Sequence, residues 1–143
     1  MLHQRSVRLK TASVLFVCVE NACRSQMAVA FARLHGDDGV TAFSAGSYPA
    51  GAVNPRAIAF MAERGCDLAG ERPKALDGLA DQSFDAVVTM GCGDACPWVP
   101  ARIREDWALP DPKHLSDAQF REIRDDIEQR VTALLDRLYA AKA

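Results

Sequence analysis

Residues 18–25 (CVENACRS) combine residue types that could bind and attack a tetrahedral anion. They follow an apolar run that predicts a strand, and they lead into a predicted helix that begins near Arg24. Backbone N–H groups of such a short loop point inward and, with the positive end of the helix dipole, hold an anion. The planar guanidinium of Arg24 can grip two of its oxygens. The stretch therefore predicts an oxyanion-binding loop.

Cys18 stands where a nucleophile beneath that anion would stand. The same positive field favours its thiolate, which is the nucleophilic form. A Cys-x5-Arg spacing occurs by chance, but the strand before it, the helix after it and Ser25 beside Arg24 favour a displacement site over a structural cysteine. We predict that the substrate is bound by Val19, Glu20, Asn21, Ala22, Cys23, Arg24 and Ser25.

The composition limits the class of protein. A chain of 143 residues fits one domain, and the net charge of −2 argues against broad binding of nucleic acid or anionic membranes. No apolar run has the length of a membrane span or a signal segment, so we expect a cytoplasmic protein. We also expect the protein to be a monomer. Five cysteines in such a chain indicate redox chemistry or metal binding rather than a disulfide framework.

Predicted strands and helices alternate along the chain. We expect residues 1–12 to form a flexible tail and residues 13–143 to form the domain. The pattern predicts an α/β single domain with an open four-stranded parallel sheet and helices on both faces. The predicted strands cover 13–17, 40–45, 84–90 and 103–109. Helices are expected from Arg24, with Met27, Phe31 and Leu34 on one face, from Pro55 behind the cap Asn54, and after Ser116.

This topology brings distant segments together. Ligands bind at the carboxyl edge of a parallel sheet. Cys18 leaves the first strand at that edge, residues 90–97 leave the third, and Asp111 follows the fourth. We therefore expect these three segments to meet at one pocket.

Cys92 and Cys96 form the second informative feature. Thiols four residues apart on a helical turn have Cβ atoms about 5–6 Å apart, whereas a disulfide needs about 4 Å. Bridging them would distort the turn, which Gly91, Gly93 and Pro97 would tolerate.

Two other interpretations of these cysteines remain open. Cys18, Cys23, Cys92 and Cys96 could offer four sulfurs to zinc, although the spacings differ from the usual two-residue knuckles. Cys92 and Cys96 could also be inert loop residues. We predict no metal site.

The segment CVENACRSQMA at residues 18–28 resembles the active-site loop of the thioredoxin-coupled arsenate reductases of the three-cysteine type, which share the low-molecular-weight protein tyrosine phosphatase fold. The segment Ser44-Ala45-Gly46, the Cys92/Cys96 pair after a strand, and Trp107 before Asp111-Pro112 fit the same pattern. The resemblance extends over residues 13–138.

The resemblance implies a mechanism. Cys18 attacks arsenate, for which phosphate or sulfate are mimics, while Arg24 binds it and Asp111 protonates the departing oxygen. Cys92 then attacks the Cys18 sulfur and expels arsenite, and Cys96 takes over the disulfide. Thioredoxin, supplied with electrons from NADPH by thioredoxin reductase, reduces it, with no bound cofactor. The resemblance also implies that Asn21 shapes the loop and that Ser25 donates a hydrogen bond to Cys18.

Three alternatives stay open at this stage. One is an arsenate–mycothiol transferase, for which Cys92 and Cys96 would be dispensable. Another is a tyrosine phosphatase, which leaves those cysteines unexplained and lacks the tyrosines that would follow Pro112, where Lys113 and His114 stand. The third is a non-catalytic oxyanion or arsenite binder.

Three positions depart from the family pattern or are ambiguous. Some members bind potassium behind the loop, where this chain has Val29 and Lys74. The ammonium of Lys74 either replaces that ion or forms a surface salt bridge. Cys23 is expected to be a loop residue without a required redox role.

Overall fold

The computed structural model describes residues 11–36, 39–79, 82–91 and 98–142. In these ranges the elements are, in chain order, β1 (Ala12–Cys18), α1 (Arg24–Gly36), β2 (Val40–Gly46), α2 (Pro55–Ala62), β3 (Phe84–Thr89), β4 (Ala101–Asp106), a 3-10 turn (Pro112–His114) and α3 (Asp117–Lys142).

The four strands form one sheet in the order β2-β1-β3-β4, and every pairing is parallel. The last residues of the strands lie side by side, because Cys18 pairs with Gly46 and Thr89 pairs with Asp106. The predicted α/β fold with an open four-stranded parallel sheet is confirmed. The carboxyl ends of all four strands therefore share one edge, which is where Cys18 lies.

The fourth strand begins and ends earlier than its predicted range of 103–109. It covers Ala101–Asp106, and the chain then turns inward, with Trp107 only 3% exposed. The Trp107 N–H still donates to Thr89 O at 2.7 Å. Sequence hydrophobicity placed the end too late because buried residues after the strand look like strand residues.

Side chains alternate between two cores along β1. Val14 and Phe16 face a large cluster to which all three helices contribute, whereas Leu15 and Val17 face a smaller one. In the described ranges, the smaller cluster is completed by connecting segments that supply Leu76, Leu79 and Val99. This burial on both faces explains why β1 is apolar at every position from 14 to 17.

The expected apolar face of α1 is partly wrong. Met27 and Phe31 are fully buried, but Leu34 is 44% exposed. In the second half of the helix the buried residues are centred on Ala32. Leu34 is two residues further along, about 200° around the helix axis, and so falls outside the buried face.

The caps of α2 and α3 form as their sequences predict. Asn54 Oδ1 accepts from Arg56 N at 2.8 Å, and Ser116 and Gln119 exchange hydrogen bonds between backbone N–H groups and side chains at 3.1 and 3.2 Å. The apolar stripe of α3 packs into the large core. None of the described helices is long and apolar enough to cross a bilayer.

Candidate active site

The loop between β1 and α1 is held in shape by Asn21. Its backbone has φ of 53°, in the left-handed region that asparagine tolerates. Its Nδ2 donates to Ser25 Oγ at 2.6 Å, and its Oδ1 accepts from Gln26 Nε2 at 3.1 Å and from Lys74 N at 2.8 Å. Since Asn21 is completely buried, these contacts fix the loop before any ligand arrives.

In the loop after β1, the backbone carbonyls accept hydrogen bonds from neighbouring segments, whereas the backbone N–H groups of residues 19–23 have no such partners within the described ranges. Backbone hydrogen bonds are accepted by the carbonyls of Cys18, Val19, Glu20, Ala22 and Cys23. No amide of residues 19–23 donates a hydrogen bond to another residue that the structure describes. Backbone donors need a partner when they are removed from water, so these amides are available to an anion.

Gly46, at the end of β2, allows the loop to lie against the sheet. A Cβ atom at this position would lie 2.6 Å from Val19 O and 3.0 Å from Asn21 N. Those contacts involve backbone atoms, which cannot swing aside. Only glycine fits there without displacing the loop.

Cys18 lies at the floor of the pocket and is 2% exposed. Its Sγ is 2.9 Å from Ser25 Oγ. Because Ser25 Oγ already accepts a hydrogen from Asn21, its own hydrogen is free to go to the sulfur. This contact holds the Cys18 sulfur in a fixed position beneath the loop.

One nitrogen of the Arg24 guanidinium is held by backbone carbonyls, and another has no hydrogen-bond partner among the described residues. Its Nη1 donates to Met90 O at 2.6 Å and to Leu109 O at 3.0 Å. Its buried Nε has no hydrogen-bond partner in the described part of the chain. An unsatisfied buried donor costs about 1–3 kcal/mol, so an oxyanion in the pocket would relieve it.

Asp111 closes the pocket opposite the loop. Its Oδ2 is 3.7 Å from Arg24 Nη2, and its Oδ1 accepts from Lys113 N at 3.1 Å. The empty space of the pocket, its opening to solvent included, is about 170 Å³, and the lining residues are Cys18, Glu20, Ala22, Cys23, Arg24 and Asp111. Two of the three segments expected at this edge therefore meet there, and β3 reaches it through Met90.

Cys23 shares the pocket but differs from Cys18 in chemistry. Burial, followed by the negative charges of Asp111 and Cys18, raises its pKa to about 12. Its thiol therefore stays protonated at neutral pH and is a poor nucleophile. That Cys23 has no required redox role stays a prediction.

The predicted redox pair stays a prediction. Cys92 and Cys96 lie outside the described residues. Cys66, the remaining cysteine, is 8% exposed in the connection after α2, and burial raises its pKa. Among the described residues, no cluster of His, Cys, Asp and Glu side chains could hold a metal ion.

Lys74 forms the surface salt bridge rather than a substitute for potassium. Its Nζ donates to Arg72 O at 3.0 Å and lies 3.9 Å from Glu71 Oε1. Its backbone N–H, not its ammonium, contacts Asn21. Val29 is buried and apolar, so neither side chain offers an oxygen to a cation behind the loop.

Comparison with known proteins agrees with this geometry. Residues 13–143 match the model of the family described as low molecular weight phosphotyrosine protein phosphatase. The chain belongs to this family. Within the family it groups with the arsenate reductases.

Three relatives illustrate this grouping. The glutaredoxin arsenate reductase of Synechocystis sp. is 38% identical over 87% of this chain and 97% of its own. A structure of an arsenate reductase in the phosphate-binding state has a TM-score of 0.82 and 38% identity over 89% of this chain and 98% of its own. The thioredoxin-dependent arsenate reductase of Corynebacterium glutamicum has a TM-score of 0.79 and 33% identity over 98% of this chain and 70% of its own.

Arg56, which sequence reasoning missed, supports the turn that carries Asp111. Its guanidinium donates to Pro112 O at 3.1 Å, Lys113 O at 2.8 Å and Leu115 O at 2.7 Å. The turn that carries Asp111 is thereby fixed from behind by α2. No local pattern marks Arg56, because its partners are nearly sixty residues away.

Gly91 was expected only to give the following segment freedom, but it also contacts the site. It has φ of +82°, and a Cβ there would lie 2.8 Å from Arg24 Nη1 and 2.9 Å from Leu109 O. Its N–H is 3.4 Å from Asp106 Oδ1, which also accepts from Thr89 Oγ1 at 2.7 Å. A glycine directly after a buried strand is a signal that could have indicated this close approach.

Proposed function

We propose that this chain reduces arsenate to arsenite in the cytoplasm, through a Cys18, Cys92 and Cys96 relay that thioredoxin regenerates. The observation that carries the proposal is the juxtaposition of Cys18, Arg24 and Asp111 around one small pocket with unpaired loop amides. Membership of the arsenate reductases within the family supports the substrate. The process serves arsenic detoxification.

In the first step, the loop amides and Arg24 bind arsenate and the Cys18 thiolate attacks arsenic. A sulfur–arsenic bond forms while an arsenic–oxygen bond breaks, and Asp111 supplies the proton with which the oxygen leaves as water. Arsenic remains pentavalent. Ser25 Oγ, 2.9 Å from Cys18 Sγ, holds the sulfur in position for the attack.

In the second step, the Cys92 thiolate attacks Cys18 Sγ. The electron pair of the sulfur–arsenic bond moves to arsenic, which leaves as trivalent arsenite, and a Cys18–Cys92 disulfide forms. The Cys96 thiolate then attacks Cys92 and releases Cys18. Thioredoxin reduces the resulting Cys92–Cys96 disulfide with two electrons.

The reductant is the finer part of the proposal. Thioredoxin is proposed because the Corynebacterium glutamicum relative is thioredoxin-dependent. The name of the Synechocystis relative points to glutaredoxin instead. Arsenate-dependent NADPH oxidation, measured with thioredoxin and thioredoxin reductase and in parallel with glutaredoxin-based and mycothiol-based mixtures, separates these donors.

Cys18→Ser is expected to abolish arsenate-dependent NADPH oxidation, since a hydroxyl does not replace the thiolate. The matched control is Cys66→Ala, which removes a buried thiol remote from the pocket lining and should remain active. Residual turnover in Cys18→Ser comparable with that of the control would exclude Cys18 as the nucleophile.

Cys96→Ser tests the order of the relay. This variant should release one equivalent of arsenite and then stop with a Cys18–Cys92 disulfide, because the third thiol is missing. Peptide mapping under non-reducing conditions identifies the bridge. Normal multiple turnover of Cys96→Ser with thioredoxin would show that the relay is wrong, while leaving arsenate reduction itself intact.

A further inference from the structure

An ion pair joins the two loops that border the pocket. Lys113 Nζ donates to Glu20 Oε2 at 3.0 Å, across 93 positions of sequence. Glu20 belongs to the loop after β1, and Lys113 belongs to the turn that follows Asp111. The mechanism above uses neither side chain.

The pair lies at the mouth of the pocket. Among the lining residues, Cys18, Ala22, Cys23 and Arg24 are buried, whereas Glu20 and Asp111 are partly exposed. Solvent therefore reaches the pocket between Glu20 and Asp111. Lys113 contacts both of these residues, the first through its ammonium and the second through its backbone N–H.

Both ends of the pair are anchored by their backbones. The Lys113 carbonyl accepts from Arg56 Nη2 at 2.8 Å, and the Glu20 carbonyl accepts from Ala50 N at 2.9 Å. The two side chains therefore span a gap between fixed points. Partly exposed ion pairs of this kind contribute little to stability, and the backbone hydrogen bonds hold the two loops in place.

Because the charges of Glu20 and Lys113 cancel, the pair neither attracts nor repels an approaching anion strongly. A lone carboxylate at the mouth would repel an oxyanion, and the adjacent ammonium neutralises it. The hydrogen bond to Glu20 raises the pKa of Lys113, which therefore stays charged at neutral pH. What remains is the bulk of two long side chains at the entrance.

The bulk of the Glu20 and Lys113 side chains matters because the pocket is small. Its empty space is only about 170 Å³ even when its opening to solvent is counted. A bare tetrahedral anion has nothing beyond its oxygens to accommodate. The organic group of a bound phosphate ester would have to extend out of the pocket at its mouth, where Glu20 and Lys113 meet.

We propose that the Glu20–Lys113 pair is a specificity determinant that bars organic phosphates and phosphonates from the pocket and admits inorganic oxyanions. The proposal rests on the proposed function in one respect, since it takes an inorganic oxyanion as the natural ligand. It assigns the preference to two residues outside the chemistry.

The test compares two probes, inorganic phosphate and benzylphosphonate, by calorimetric titration of the reduced protein. Replacing both side chains, Glu20→Ala with Lys113→Ala, should improve the affinity for benzylphosphonate relative to phosphate by at least about fivefold. The control removes another exposed ion pair, Asp126→Ala with Arg130→Ala on α3, and should leave that ratio unchanged.

A ratio in the Glu20/Lys113 double variant within about twofold of wild type would overturn the proposal, and so would an equal change in the control. Circular dichroism of both double variants establishes that each is folded. Neither titration uses arsenate or a reductant. A shifted ratio in a protein that fails to reduce arsenate would therefore sink the proposed function and not this assignment.

Discussion

Arg24 has both a structural and a ligand-binding side, and the two use different atoms. Nη1 joins the ends of β3 and β4 through Met90 O and Leu109 O, while the buried Nε is left for a ligand. A lysine could not reproduce this division, because it presents one point charge instead of a planar fork. The guanidinium is thus oriented before the anion binds.

Gly91→Ala should disturb Arg24 directly. We expect a loss of about 1–3 kcal/mol in the free energy of unfolding and a roughly tenfold weaker affinity for phosphate, because the new methyl group meets Arg24 Nη1 and Leu109 O. Chemical denaturation and calorimetric titration measure the two effects.

Gly78→Ala is the matched control for that variant. Gly78 has φ of +79°, close to that of Gly91, but a Cβ there meets no atom of the described residues within 4 Å. It therefore reports backbone strain alone, about 1–2 kcal/mol, with no change in phosphate affinity. Equal phosphate affinities in the two variants would contradict the contact with Arg24.

The residues of the loop could be inferred from sequence because their chemistry is local. Cys18, Asn21, Arg24 and Ser25 lie within eight consecutive positions, and strand-loop-helix geometry alone brings them together. Arg56 and the contact between Glu20 and Lys113 could not be inferred. They depend on how α2 and the turn after β4 pack, which no short pattern encodes.

At the scale of elements, the 3-10 turn Pro112–His114 is positioned by α2 rather than by the sheet. Arg56 reaches it from the first turn of α2 and also lies over the Phe120 ring, 4.9 Å from its centroid. The position of Asp111 therefore depends on a helix that contributes nothing to the pocket lining.

Arg56→Met should slow arsenate turnover by about tenfold while changing phosphate affinity little, because Asp111 is displaced from the leaving oxygen but the loop and Arg24 are intact. The rate of arsenate-dependent thiol loss in a single turnover reports the first step. The control Arg102→Met removes an exposed arginine of β4 that pairs with Asp85. A normal rate in Arg56→Met would remove α2 from the positioning of the acid.

Element boundaries were less predictable than element types. The parallel sheet follows from apolar runs that alternate with helical patterns, and the caps Asn54 and Ser116 mark two helix starts. The end of β4 and the exposure of Leu34 depend on which neighbours cover them. That information comes from packing in three dimensions, not from periodicity.

At the scale of the whole molecule, the carboxylate of one residue joins α2 to α3. Glu63, just after α2, accepts from Arg121 Nη2 at 2.9 Å and from Arg124 Nη1 at 2.6 Å on α3. These hydrogen bonds lower the pKa of Glu63 to about 2. Arg124 also donates to Phe60 O at 2.9 Å, so the backbone of α2 is tied to α3 as well.

Acid should weaken this connection. The folded-state pKa of Glu63 is depressed from 4.5 to about 2, so its contribution to stability is present above pH 4.5 and is lost as the pH falls toward 2. Glu63→Gln should show a smaller loss of stability over this range than wild type, measured by denaturation at each pH. Glu122→Gln on α3, whose side chain forms no ion pair within the described ranges, should follow the wild-type curve. Identical curves for all three proteins would contradict the coupling.

The donors in the loop have a consequence for how arsenic and phosphorus are told apart. Amides and a guanidinium grip peripheral oxygens and touch no central atom, so they recognise shape and charge, which the two anions share. We therefore expect the loop to bind phosphate as well as arsenate. Discrimination has to come after capture, because the electron pair of a sulfur–arsenic(V) bond can move to arsenic when a second thiolate attacks the sulfur, whereas phosphorus(V) is not reduced by thiols in this way.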